Sequence, residues 1–308
     1  MSNYPLNYAR NARKDRLTIA MAVVLPVLFV AGLVVCLFVS WWMVILLALG
    51  LSFLYLSIYA LMHEALHGGL HPNPSVNRLL GQWCGLPLLM VFDVVRIAHN
   101  MHHSFNRCES QCFDCYYQPQ QRWLKNIFWY GILLGGHWVT TILGGLVIAI
   151  LPFAWTRRLL APSTYFEQGP PQFVRSQIRI EALIVCAAVG LFCAWVVRID
   201  APIDRVLWVY GLCAFNWSTR QYIQHAFSPR VTLDGGYNLA CGRINQIILL
   251  KGNWDKVHHQ YPKLPWYDLN HYADGSARPV MWRQYLRQWK GVQLNTEPHP
   301  EPMPFVFR

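Results

Sequence analysis

Eight histidines and one aspartate of this 308-residue chain fall into tight clusters: His63/His67, His99/His102/His103, the single His225, and Asp255/His258/His259. The segments read H-E-A-L-H, H-N-M-H-H, Q-H-A-F and D-K-V-H-H. On a helix, residues three or four apart share one face, so each cluster would present its side chains together. Neutral imidazole is the commonest metal ligand, and this set exceeds what one ion accepts, so two ions are the economical reading. Taken alone, His63-Glu64-x-x-His67 also matches the zinc-protease pattern, with Glu64 as general base. That pattern leaves the other clusters unexplained. His71, His137, His271 and His299 lack the clustering and are expected to be structural or solvent-exposed. His71 continues the row from His67, but Gly68-Gly69 and Pro72 should end the helix first.

The elements that position these residues must lie in and beside a bilayer. The chain is 54% hydrophobic and only 13% charged, with mean hydropathy +0.23, too apolar for an ordinary soluble domain. Leu17–Ser40 carries no charge and is expected to be retained as a membrane span rather than cleaved, and Trp41–Met62 is a second span directly behind it. Trp41 and Trp42 mark the interface between them. The net charge of +11 would suit nucleic acid. Its distribution argues against that: Arg10, Arg13, Lys14 and Arg16 precede the first span, as the positive-inside bias requires. Nine cysteines are an odd number, and several lie within apolar stretches, so no disulfide framework is expected. Cys108, Cys112 and Cys115 stand together after the second cluster and are expected to be reduced thiols rather than a metal site.

Parity then fixes an expected topology. With the N-terminus inside, the first two spans form a hairpin that returns His63 and His67 to the cytosolic side. Leu79–Val91 is too short to cross, so His99 stays on that side. An even number of crossings must separate His103 from His225, yet Ile127–Phe153, Ile180–Val197 and Val206–Thr219 compete for them. Keeping Arg157, Arg158, Arg175 and Arg179 inside makes the glycine-rich Ile127–Phe153 a re-entrant element and leaves Arg198–Arg205 as a short external turn. The expectation is therefore an all-α integral membrane protein with about four transmembrane helices in two hairpins and a cytosolic histidine-rich cap. Residues 1–292 would form one domain and 293–308 a loosely packed tail, with Pro279–Lys290 an amphipathic helix on the membrane surface or on the cytosolic core.

The clusters, their order and flanking segments such as HEALHGGLHPNPSVNRLLG and VHHQYPKLPWYDL resemble the membrane fatty acid desaturase superfamily, which includes hydroxylases and ketolases. The resemblance covers roughly residues 40–270. It implies a cytosolic-face centre of two iron ions that activates O2 with two external electrons to abstract hydrogen from an unactivated C–H bond. It places His63 and His67 in a first box, His99, His102 and His103 in a second, and His258 and His259 in a third, with His225 as an additional histidine. No catalytic residue beyond the metal ligands is implied. Asp255 departs from the pattern, standing where the family usually carries histidine. As a harder, anionic ligand it should favour the ferric state; as an outer carboxylate it would orient a ligating histidine.

The H-x-x-H-H form of the second box resembles desaturases and ketolases more than alkane hydroxylases. Desaturation of an acyl chain on a lipid or thioester is the expected reaction, hydroxylation or ketolation the alternative, and a membrane zinc protease a remote one. The chain holds no fused haem or flavin domain, so a separate ferredoxin, rubredoxin or cytochrome is the expected electron donor, attracted by a basic face. The expected setting is a bacterial inner membrane, or the endoplasmic reticulum of a eukaryote.

Overall fold

A computed structural model describes residues 8–152, 155, 172–298 and 300–303. The expectations for Arg157, Arg158 and His299 lie outside the described residues. Helices dominate: α1 Ala12–Cys36, α2 Trp41–Leu66, α3 Pro74–Leu88, α4 Phe92–Phe105, α5 Arg122–Gly131, α6 His137–Ile150, α7 Gln172–Arg198, α8 Ile203–Ser218, α9 Arg243–Ile248, α10 Asp255–Gln260 and α11 Met281–Gln288. Two short parallel strands, β1 Cys115–Tyr116 and β2 Gln293–Leu294, pair with each other. The chain divides into two compact units. A span unit comprises Ala12–Ile97 and Trp138–Trp217, and a histidine unit comprises 8–11, Ala98–His137 and 218–303.

In the span unit, α1, α2 and α3 pack on one another. Helix α1 is apolar all round, so its polarity pattern cannot say which face is inward. Packing says it: Ala22, Pro26, Phe29, Leu33 and Cys36 form a buried stripe at helical spacing, whereas Val23, Val24, Val27 and Leu28 stay exposed, as lipid-facing residues would. Gly32 lets α2 close in, because a Cβ there would meet Leu51 Cδ2 at 2.6 Å. At one end of the unit Arg205 donates to the carbonyls of Cys36 and Leu37 at 3.2 and 3.0 Å. The α1–α2 turn and the α7–α8 turn therefore share one end, as the two expected hairpins require.

Among the described residues, four segments are long and apolar enough to cross a membrane: Ala12–Cys36, Trp41–Leu66, Pro119–Ile150 and Arg175–Arg198. The chain is a multi-pass membrane protein. One expected crossing falls short, since α8 has 16 residues, about 24 Å at 1.5 Å per residue against a hydrocarbon core of about 30 Å. By length its place goes to Pro119–Ile150, the stretch expected to be re-entrant. That stretch is broken, however. Between α5 and α6 the turn Ile132–Gly136 leaves helical geometry at Leu134 and at Gly135, whose φ of 112° suits only glycine. Within the span unit, Trp138 Nε1 donates to Tyr55 Oη at 2.7 Å, part-way along α2, and Arg179 donates to the Ala149 carbonyl, far along α7 from the shared turns. Helix α6 thus runs from the middle of α2 to the end of α7 remote from those turns.

Leu79–Val91 is divided between α3 and a turn at Leu89, which takes φ 61°. Helices α3 and α4 are bent by 100° across that turn. A charge knot around two buried carboxylates holds the bend. Arg78 Nη2 lies 2.6 Å from Asp93 Oδ2 and 2.7 Å from Glu181 Oε1, and Arg96 pairs with Asp93 at 3.0 Å. Gln82 and the backbone N–H of Asp93 also donate to Glu181.

The tail corrects an expectation. Far from packing loosely, 293–298 and 300–303 dock on the histidine unit: β2 pairs with β1, Arg230 donates to the Glu297 carbonyl, and the Met303 N–H to the Ser104 carbonyl. Main-chain groups make these bonds, and a proline-rich, polar composition does not reveal them.

Candidate metal centre

Within the histidine unit, three elements aim imidazoles at one another. The second half of α4 carries His99, His102 and His103 on one face, the segment after α8 carries His225, and α10 carries Asp255, His258 and His259. Helix α10 is one and a half turns long, and the backbone of Tyr261 closes it onto Val257. His225 and His259 are only 3% exposed and His258 7%.

The ring nitrogens gather in two groups. His103 Nε2 stands 3.0 Å from His99 Nε2 and 3.1 Å from His258 Nε2. His102 Nε2 stands 3.1 Å from His225 Nε2, and one ligand atom each of His102, His225 and His259 lie within 4.8 Å of one another. Asp255 Oδ2 borders the second group, 3.1 Å from His225 Nε2 and 3.7 Å from His259 Nε2.

The protons decide what this arrangement can hold. His225 Nδ1 faces the Gly235 carbonyl at 3.0 Å, and a carbonyl only accepts, so Nδ1 carries the proton and Nε2 a lone pair. His102 Nδ1 faces Gln111 Oε1 at 3.4 Å, which fixes the same tautomer. The two Nε2 atoms therefore oppose lone pair to lone pair. Burial, and for His102 also the charge on His225, lowers these pKa values to about 3 and about 4, so both rings are neutral at physiological pH. Protons do not hold them together; a cation would. Asp255 repeats the pattern. Its Oδ2 is buried and, despite its short distance to His225, makes no hydrogen bond, and burial raises its pKa to about 8. An ionised carboxylate in such a place needs a positive partner. Opposed lone pairs beside a carboxyl group whose burial opposes ionisation without a positive partner fit metal ions held by nitrogen and oxygen donors.

In the span unit, His63 and His67 meet across one turn at the end of α2, with ring centroids 5.2 Å apart and one ligand atom each within 4.8 Å. His67 is the residue that caps α2, followed by Gly68 at φ 75°. His71 lies beyond that stop, and its Nδ1 accepts the Asn73 N–H at 3.0 Å, the structural role expected of it.

The chain matches the fatty acid desaturase family model over residues 39–291. The chain belongs to the fatty acid desaturase family. No curated protein matches it. Desaturase-family membership and the histidine groups together mark a membrane oxidoreductase with a metal site.

Three residues around this desaturase-type site were not foreseen. Gln111 and Gly235 fix the tautomers of His102 and His225, the outer role that orients metal ligands. Gly236 makes room for the carboxylate, since a Cβ there would stand 2.6 Å from Asp255 Oδ2. The D-G-G run at 234–236 was the available signal; nothing in the cysteine-rich segment announces Gln111. A buried knot fixes the His225 segment as well. Arg107 pairs with Asp114 at 2.8 Å and donates to the Ser228 carbonyl, while the Phe227 N–H donates to Asp114. Cys112, Asp114 and Cys115 form a third ligand-like group, but the Asp114 oxygens are engaged by Arg107, Tyr222 and Phe227, which leaves two thiols where a zinc site needs four ligands.

Proposed function

We propose that the chain is an O2-dependent, non-haem di-iron desaturase acting on an acyl chain carried by a lipid or thioester. The observation that supports this most directly is the convergence of ring nitrogens in two groups, His99/His103/His258 and His102/His225/His259, with the His102 and His225 lone pairs opposed and Asp255 beside the second. His99, His102, His103, His225, Asp255, His258 and His259 are the proposed ligands, together with His63 and His67 on the strength of their pairing across one turn. When bound, the two irons would supply the oxidising power that removes hydrogen from an unactivated C–H bond. The chain's own residues keep the His102 and His225 imidazoles neutral by burial and fix which of their nitrogens faces inward through Gln111 and Gly235.

Electrons would come from a ferredoxin, rubredoxin or cytochrome, and the ligands would lie on the cytosolic side. The H-x-x-H-H second box favours desaturation. Asp255 in place of histidine supports a second reading, a hydroxylase or ketolase, because an altered ligand changes the oxidising centre. The test is lipid and metabolite profiling by mass spectrometry of a host expressing the chain beside its His102→Ala variant. A new double bond present only with the unaltered chain is expected. A hydroxyl or keto product would shift the assignment to the second reading, and no product difference would remove both.

A further inference from the structure

Away from the histidines, the histidine unit holds a cavity of about 510 Å³ lined by Arg220, Asn245, Met281, Trp282 and Tyr285 among others. No acidic residue is among the described residues that line it. The Arg220 guanidinium lies 5.8 Å from the centre of the Tyr285 ring, and Arg243, Arg283 and Arg287 stand on the two flanking helices, α9 and α11.

The flanking helices are built for two environments. In α11, Met281, Gln284 and Gln288 face inward, and the two glutamines donate to the Ala226 and Thr219 carbonyls. That face is fastened down, so the opposite face stays outside. It carries Trp282 and Leu286, 60% and 57% exposed, and α9 carries Ile244 and Ile247, 74% and 67% exposed. Four large apolar side chains in open solvent, interleaved with arginines, are costly in water and ordinary at a bilayer surface. There tryptophan sits at headgroup depth and arginine meets phosphate.

We infer that this cavity binds the headgroup of an anionic membrane phospholipid, with its phosphate on Arg220 and its acyl chains along Ile244, Ile247, Trp282 and Leu286. Guanidinium is the side chain best matched to phosphate oxygens, the Asn245 amide offers a second donor, and no carboxylate among the described lining residues repels an anion. The inference is independent of the iron assignment.

Native mass spectrometry of the full chain in detergent, with phosphatidylglycerol and phosphatidylcholine of identical chains added in equal amounts, tests it. One phosphatidylglycerol should be retained per chain, preferred roughly fivefold, the scale of one basic contact to an anionic lipid. Arg220→Gln should remove the preference, and Trp282→Ser, at an exposed position that leaves the fold intact, should weaken retention. If Arg220→Gln fails to fold, Trp282→Ser decides. Equal retention of the two lipids, or retention unchanged in Trp282→Ser, would overturn the inference. Displacement of the lipid by millimolar glycerol phosphate would also overturn it, by showing a site for soluble phosphates.

Discussion

Two of the polar clusters among the described residues differ in what they lack. In the span unit, Arg78, Arg96, Asp93 and Glu181 oppose cations to anions at 2.6–3.0 Å. Charge is balanced there by the chain itself, and the knot fastens α3, α4 and α7. In the histidine unit, ring nitrogens face ring nitrogens at 3.0–3.1 Å with a carboxylate beside them. Between the Nε2 atoms of His102 and His225, whose protons sit on Nδ1, there is no proton to hold them together. A buried cluster satisfied from within is structural; one whose lone pairs converge without protons between them is made for something added.

The largest effects expected would break the second cluster. Alanine at His102, His103 or His258 should abolish turnover and lower bound iron, measured by product formation and inductively coupled plasma mass spectrometry, whereas alanine at His71 should change neither. Asp255 sharpens the comparison. If its carboxylate is a ligand, Asp255→Asn should cut activity steeply while the fold is kept, and Asp255→His should retain iron. An outer role would leave iron in place and cost roughly 10–100-fold at most, so iron content and rate of the two variants decide.

The first cluster should respond in stability instead. Glu181→Ala takes one of two carboxylates from Arg78 and the acceptor from Gln82 and the buried Asp93 N–H, and should cost about 1–3 kcal/mol, read as a lower thermal midpoint, with iron per folded chain unchanged. Replacing Arg78 and Glu181 together by methionine should recover much of that loss. The smallest effect is expected at Gln111→Ala. His102 then loses the partner that fixes its tautomer, and activity should fall roughly 10–100-fold with the fold intact, measured against Gln111→Glu, which keeps an acceptor for the Nδ1 proton.

Much of the site was legible because ligand chemistry imposes spacing: His99, His102 and His103 must share a helix face to act together, and Asp255 must stand one turn before His259. His225 carries no spacing signal, and only its position after an apolar helix and the family resemblance pointed to it. Gln111, Gly235 and Gly236 were not legible, since their roles depend on backbone carbonyls and close approaches that exist only after folding. In the fold, the first hairpin followed from apolar length, whereas α8 is too short for length alone to give the second. The inward face of α1 did not, because a helix apolar on every side reveals its packing stripe only in contact with neighbours. The docked tail escaped detection for the same kind of reason, being held by main-chain bonds.

Metal content of the purified full chain tests the central claim most directly. Expressed with iron available, the unaltered protein should carry close to two irons per chain and little zinc, and His102→Ala, which removes a donor from the second nitrogen group, should carry clearly less while retaining its helical circular dichroism. A single zinc per chain, or iron unchanged in His102→Ala, would contradict the account.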